Sequence, residues 1–347
     1  MKRSTLARAL AAGALAALPA LASPAPVRAQ AGPHAAAPLL YVSNERGQSI
    51  TVINTATNQV VHTIQLGVVR PRGIHVSPDG KRVYVALSDT SDLIIHQLKV
   101  LTPADGIAVI DVATDKVLTK YPAGSDPETF AVSPDGKRLY ASNEDAGTTS
   151  VIDVLSGKIA AVLNVGIEPE GVGMSPDGHW VYVTAETSNT VSVIDTHADK
   201  VTANMLVDVR PRAVAFSPDG ARAYVTAEIG GTLSIIDTRT QQVVKTIELE
   251  GGEAKPVGVV LSPDGSKVYT ANGSKNNVSV IDAQTGAILA TIPVGRRPWG
   301  IAITPDGKRL YTANGLSDDV SAIDTSTNQV IATIKAGKGP WGLAIAP

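Results

Sequence analysis

Apolar and polar positions alternate along this chain in short runs, each closed by a turn. Runs such as Tyr182-Val-Thr-Ala185 and Val191-Ser-Val-Ile-Asp195 are rich in β-branched residues and keep the two-residue period of strands. Between them recurs Ser-Pro-Asp-Gly, at 77–80, 133–136, 175–178, 217–220 and 262–265, with Thr-Pro-Asp-Gly at 304–307. Pro and Asp open a tight turn, and Gly supplies the positive φ that closes it. The prolines of this marker are spaced by 56, 42, 42, 45 and 42 residues, and Pro347 follows Pro305 by another 42. The period is therefore 42, with one insertion of 14 and one of 3.

Each unit has the same grammar. A Pro-x-Gly-like start leads into an apolar run and the Pro-Asp-Gly turn. A second run carries a tyrosine, a third reads like Val-Ser-Val-Ile-Asp, and a fourth ends near Val-Gly. Seven of the eight tyrosines, Tyr41, Tyr84, Tyr140, Tyr182, Tyr224, Tyr269 and Tyr311, share one repeat position. Four strands in a tandem unit of this length predict an all-β, seven-bladed β-propeller with four antiparallel strands per blade. Residues 39–67 supply strands two to four of a blade, and 340–347 supply a first strand. The ring is predicted to close by pairing the N-terminal strands with the C-terminal one, which removes an exposed edge.

Composition adds the cellular setting. Residues 1–30 read as a signal peptide: Lys2, Arg3 and Arg8 precede an apolar stretch from about Ala9 to Leu21, with small-residue cleavage sites near Ala22 and Ala29. The expected organisation is this leader, a linker at 31–38 and one propeller at 39–347 with its insertion at about 91–104. The leader is too short for a membrane span, and export without a single cysteine suits a bacterial periplasm. The whole chain carries a net charge of −2; without the leader it has 26 basic against 32 acidic residues. That balance argues against nucleic-acid binding.

Tyr182-Val-Thr-Ala and Tyr224-Val-Thr-Ala resemble the YVTN-type propeller repeat, and the likeness runs through the chain beyond the leader. Further segments are similar to the propeller proteins associated with PQQ-dependent catabolism in bacteria. They are Tyr41-Val-Ser-Asn-Glu45, Arg70-Pro-Arg-Gly73, Asp126-Pro-Glu128, Ser142-Asn-Glu-Asp145, Val165–Gly171, Leu206–Arg212, Glu228–Thr232, Asn314-Gly315 and Pro340-Trp-Gly342. The resemblance implies a periplasmic accessory to quinoprotein alcohol oxidation, with a quinoprotein dehydrogenase or a cytochrome as partner. The extra residues near Leu93–Ala104 depart from that family's even spacing.

Chemistry is sought where the repeat allows variation. Asp79, Asp135, Asp177, Asp219, Asp264 and Asp306 recur in the turns, and Asp111, Asp153, Asp195, Asp237, Asp282 and Asp324 recur after the third strand. An active site needs one constellation, not six copies, so these read as turn-capping residues. The residue after each starting proline does vary: Arg72, Glu128, Glu170, Arg212, Val257, Trp299 and Trp341. These are expected to crowd the mouth of the central funnel. The second-strand ends add Glu45, Glu144, Glu186 and Glu228, with Asn44, Asn143, Asn272 and Asn314. Arg72 and Arg212 suit a small anionic ligand. Trp299 and Trp341 suit a planar group such as PQQ, or a protein hot spot. The four glutamates suit Ca²⁺. Equally, Arg72–Glu128 and Glu170–Arg212 can simply neutralise each other.

The histidines show no metal spacing. His62, His179 and His197 fall at positions expected to be exposed, His34 lies near the leader and His96 in the insertion. His75 replaces small residues of the other repeats and is a candidate for the channel. The lack of cysteine and scarcity of methionine argue against a copper site of soft ligands. The insertion, with Leu93-Ile-Ile-His-Gln-Leu-Lys-Val-Leu101, is either a hairpin extension or a flap for a partner. The favoured expectation is a non-enzymatic, exported binding or scaffold module. The alternative is a metal-assisted, lactonase-like hydrolase or lyase using the funnel glutamates, with His75 or His96 as base.

Overall fold

The computed structural model describes residues 38–89 and 102–346. The leader, nearly all of the linker, most of the insertion, His34, His96 and Pro347 lie outside the described residues, so the readings placed on them remain sequence expectations. Among the described residues, no helix is long and apolar enough to cross a membrane.

The chain is a seven-bladed β-propeller. Seven separate sheets each hold four strands in antiparallel order. Numbered from the strand Arg70–Val76, blades 1 to 6 start at residues 70, 127, 169, 211, 256 and 298. Blade 7 joins Pro340–Ala346 to Leu39–Asn44, Ser49–Asn54 and Gln59–Gln65. Leu39 lies opposite Ala346 and Tyr41 opposite Ala344, so the two ends of the chain close the ring.

Within a blade the strands run outward from the axis. The innermost strands of neighbouring blades, such as Pro169–Met174 and Pro211–Phe216, touch around the ring. The second and third strands are sandwiched between blades, which explains their near-continuous apolar runs; Trp180–Ala185 is buried after its first residue. The fourth strand is the outer edge. Its side chains are largely exposed, as in Lys200–Leu206, and lysines blunt it against edge-to-edge pairing. Between blades 4 and 5, Glu250–Gly252 forms a short turn in which all three residues have positive φ.

The recurring aspartates hold turns. In blade 3, Gly178 N–H donates to Ser175 O at 2.8 Å. Ser175 Oγ–H and His179 N–H donate to Asp177 Oδ1 at 2.5 and 3.0 Å. After the third strand, Asp282 Oδ1 accepts Thr285 N–H at 2.7 Å.

The core lies between blades rather than within them. One cluster joins Tyr182, Val191 and Val193 of blade 3 to Val214, Val225 and Ile236 of blade 4. The repeat tyrosines are among the largest fully buried side chains. Several send their hydroxyl into the next blade: Tyr41 to Asp115, Tyr140 to Asp199, Tyr224 to Ala283 O and Tyr311 to Thr55 O and Asn58. The position thus needs a large apolar ring with one polar tip. Tyr182 Oη is buried and has no partner among the described residues.

The two kinds of tyrosine should respond differently to loss of the hydroxyl. Tyr311→Phe breaks bonds of 3.2 and 3.0 Å across the closing interface and is expected to cost about 1 kcal/mol. Tyr182→Phe removes an unpaired buried hydroxyl and is expected to be neutral or stabilising. Urea unfolding of both variants at equal m-value checks this; equal losses would refute the assignment of the hydroxyl as an interblade tie.

Candidate functional site

The Pro-x start of each inner strand builds the site; the residue after x is glycine in five blades, Thr129 in blade 2 and Ala213 in blade 4. A β-bulge follows the proline, as between Pro169 and Val172, so residue x stands at the funnel mouth. The glycine after x lets blades approach closely. A Cβ at Gly171 would stand 2.2 Å from Arg212 O, and one at Gly342 would stand 2.7 Å from Arg72 O. The same carbonyls accept a hydroxyl from the second strand of the preceding blade: Thr184 Oγ1–H to Arg212 O at 3.1 Å and Ser43 Oγ–H to Arg72 O at 2.5 Å. The Thr of Tyr-Val-Thr therefore fixes the backbone of residue x one blade on.

The resulting cavity is about 320 Å³ and is lined by Arg72, Glu128, Glu144, Glu170, Arg212 and Trp299 among others. Glu45, Glu186 and Trp341 also line it. Val257 lines the narrower channel below instead. Two arginines organise the polar half. Arg72 pairs with Glu128, with Glu45 at 3.0 Å and with Glu144 at 3.6 Å. Arg212, only 5% exposed, pairs with Glu186, with Glu170 at 2.9 Å and with Glu228 at 3.6 Å. Rim arginines add to this: Arg70 pairs with Asp126 at 3.1 Å, and Arg210 with Glu186 at 2.8 Å.

Each central guanidinium thus serves three carboxyl groups. Burial, and then the neighbouring carboxylates, hold the Glu170 and Glu144 carboxyls above the ordinary range against the pull of Arg212 and Arg72. On the aromatic side, Trp299 lies between Arg212 and Arg297, whose guanidinium carbons stand 4.8 and 4.7 Å from the ring centre. Trp341 is 6.1 Å from Trp299, tilted by 40°. Among the site's donors, Trp299 Nε1–H and Arg212 Nε–H make no hydrogen bond among the described residues; Arg212 Nε stands 3.6 Å from Glu228 Oε2.

The four second-strand glutamates do not share one centre: Glu45 and Glu144 gather at Arg72, Glu186 and Glu228 at Arg212. The funnel carboxylates that do bring ligand oxygens within 4.8 Å of one another are Asp126, Glu128 and Glu144. Arg70 and Arg72 already hold those groups, so an ion there would displace a guanidinium. The asparagines serve the scaffold; Asn44 and Asn314, for example, donate to Thr51 and Ser321 of the next strand at 3.0 Å.

His75 faces the channel, a second cavity of about 180 Å³ below the mouth. Its ring is open to that cavity but hemmed by strands and by Phe130, at 5.0 Å between ring centres. Loss of bulk hydration pushes its pKa down to about 4, so it is neutral at physiological pH. Arg297 escaped the sequence reading. It precedes a starting proline, as Asp126, Glu168 and Arg210 do, and all four share a positive φ. That shared slot was the available signal.

Two family models match parts of the chain: Lactonase, 7-bladed beta-propeller, over residues 201–335, and Choice-of-anchor I domain, over residues 41–209. The seven-bladed beta-propeller protein Rv1057 of Mycobacterium tuberculosis is 33% identical over 105 residues, 30% of this chain. The match spans 23% of that relative's length. Among solved structures, Kuenenia stuttgartiensis hydrazine synthase is similar at a TM-score of 0.70 with 24% identity, over 80% of this chain and 90% of that one. A Bacteroides fragilis protein, provisionally assigned as a 6-phosphogluconolactonase, is similar at 0.74 with 18% identity, over 91% and 99%. At these identities the structural likeness shows the propeller fold.

The crowding of carboxyls gives a signed pH dependence. Glu170 binds its proton more tightly in the folded protein than in the unfolded chain. Its contribution to stability is full below the unfolded value of about 4.5 and is lost as pH rises through the folded one. Glu170→Gln fixes the neutral form, so the variant should gain on the wild type as pH rises from about 4.5 to 7.5. Urea unfolding across that range measures the difference; a flat or falling difference would show that folding does not raise the proton affinity of Glu170.

Proposed function

We propose that the chain is a hydrolase of small lactones or related cyclic esters, with its site in the arginine–glutamate funnel. The observation that carries this is Arg212: a buried guanidinium beside a carboxyl of raised proton affinity, stacked on Trp299, with Nε–H making no hydrogen bond and its ion-pair partner Glu228 at 3.6 Å. The match of residues 201–335 to the lactonase propeller model supports the same reading. In this reaction water attacks the ester carbonyl carbon. Glu186, which also pairs with Arg212, takes the proton of that water. The oxyanion forms against Arg212, a fixed donor in a partly dry site. As the ring C–O bond breaks, Glu170, whose proton affinity is raised by burial, passes its proton to the departing oxygen, leaving a hydroxy acid. Trp299 and Trp341 provide a face for the substrate ring. Arg212 takes the electrophile's role, and no step needs a metal ion.

One observation favours a second reading, the binding or scaffold module beside a quinoprotein dehydrogenase or cytochrome. Segments that carry the PQQ-associated resemblance, around Glu45, Arg72, Glu128, Glu170, Arg212 and Trp341, meet in this one cavity. There an anion such as PQQ would be held and not cut. Export to the periplasm belongs to both readings.

A lactone panel followed by pH-stat, with PQQ tested in parallel by thermal shift, separates them. Expected are turnover by the purified protein alone, a loss in kcat of about 10²-fold in Glu170→Gln, and a raised KM with little change in kcat in Trp341→Ala. Absence of turnover across the panel, with stabilisation by PQQ, would replace the hydrolase by the binding module.

A further inference from the structure

Blade 3 departs from the repeat at three positions on the face opposite the funnel. The residue after Ser/Thr-Pro-Asp-Gly is Lys81, Lys137, Ala221, Ser266 or Lys308 in other blades and His179 here. The next is Arg82, Arg138, Arg222, Lys267 or Arg309 elsewhere and Trp180 here. Two residues past the third-strand aspartate, the repeat has Ala113, Leu155, Arg239, Gln284 or Ser326, and here His197. In blades 1 and 6 the arginine holds the third-strand aspartate: Arg82 pairs with Asp111, and Arg309 with Asp324 at 2.6 Å. Trp180 removes that cation from Asp195, which it faces across the hairpin.

Two imidazoles take the arginine's place. His179 Nε2 and His197 Nδ1 each lie 3.8 Å from Asp195 Oδ1. One ligand atom from each of the three residues lies within 4.8 Å of the others. The group is held from several sides. The His179 ring stacks on Trp180 at 4.3 Å and 15°, and His197 meets His179 edge-on at 4.7 Å. Asp195 Oδ1 accepts His197 N–H at 2.9 Å and Ala198 N–H at 3.2 Å, which orients the carboxylate.

We propose that His179, Asp195 and His197 form a binding site for a divalent transition-metal ion. Two imidazoles and one carboxylate suit Zn²⁺, Ni²⁺ or Cu²⁺ rather than Ca²⁺ or Mg²⁺, which prefer all-oxygen sets. Bonds of about 2.0–2.1 Å place tetrahedral ligand atoms about 3.3 Å apart, so each His–Asp separation must close by about half an ångström, and the two imidazole nitrogens, within 4.8 Å of each other, by up to about 1.5 Å. His179 and His197 sit in turns and are partly or largely exposed, so such movements are open to them. Three protein ligands leave coordination positions for water or an exogenous group.

The test is titration of untagged, EDTA-treated full-length protein with Zn²⁺ by calorimetry, with Cu²⁺ quenching of tryptophan fluorescence as a second readout. One Zn²⁺ per chain is expected. His179→Ala and His197→Ala should each weaken it by on the order of tenfold or more. Trp180→Arg keeps both histidines and restores the guanidinium of the other blades, so it should fold and also lose affinity. Absence of saturable Zn²⁺ binding in the wild type, or binding that survives intact in any of the three variants, overturns the assignment.

Discussion

The closeness of the inner strands is the constraint from which the rest follows. Gly171 and Gly300 sit so near the next blade that a Cβ would reach its carbonyl at 2.2 and 2.3 Å. No other residue fits there without moving a blade. This contact sets a tight ring, and the hydroxyls of Ser43, Ser142 and Thr184 hold the equivalent carbonyls of Arg72, Glu170 and Arg212 from the side. Because those carbonyls belong to the variable residue after the starting proline, the scaffold fixes where Arg72, Glu170, Arg212 and the two tryptophans stand. It leaves their chemistry free. The conserved grammar of the repeat and the variable content of the funnel are two sides of one geometric fact.

That division decides what a reader of the sequence can see. Blade number, strand number and closure follow from the 42-residue period and the incomplete ends, since tandem repeats leave few other ways to bury their apolar faces. The turn aspartates were legible because six copies cannot be one site. The seven variable residues were legible as a ring by repeat position alone. Their ionisation was not. It depends on how many carboxyls share one guanidinium and how dry the place is, and neither quantity is local in sequence. His179 and His197 were read as unrelated exposed positions. They stand 18 residues apart in the chain and come together only through the hairpin register that pairs Trp180 with Asp195.

The funnel's ion network is costly for the fold. Taking charged groups out of water costs several kcal/mol each unless geometry repays it, and even with Arg70, Arg210 and Arg297 sharing the load the funnel carboxyls outnumber the guanidiniums that pair with them. The propeller already has an apolar core at every blade interface, where valines, isoleucines and tyrosines are fully buried. Stability therefore gives no reason to place Glu128, Glu170, Glu186, Glu228 and Arg212 in positions where they are 1–7% exposed. An arrangement that raises the proton affinity of two carboxyls beside fixed guanidiniums is the kind found where protons are moved or anions are held.

The same reasoning applies to any departure from a repeat. In a protein of similar units, the repeat itself supplies the control: five other blades carry the same hairpin and show what the position does when it serves only the fold. In blades 1 and 6, Arg82 and Arg309 neutralise the third-strand aspartate; in blades 2 and 4 the arginine reaches the next blade instead, Arg138 to Asp199 and Arg222 to Ala283 O. Where blade 3 replaces that arginine by Trp180, the aspartate keeps its turn bonds but loses its cation. Two histidines then arrive beside it from separate segments. A drifting surface would lose the ion pair at one position without gaining paired ligands at two others. One position that is basic in the five other complete hairpins becomes Trp180 here, and at two positions that vary around the ring the residues are both histidine and in contact; the three together are stronger ground for a site than any one of them alone.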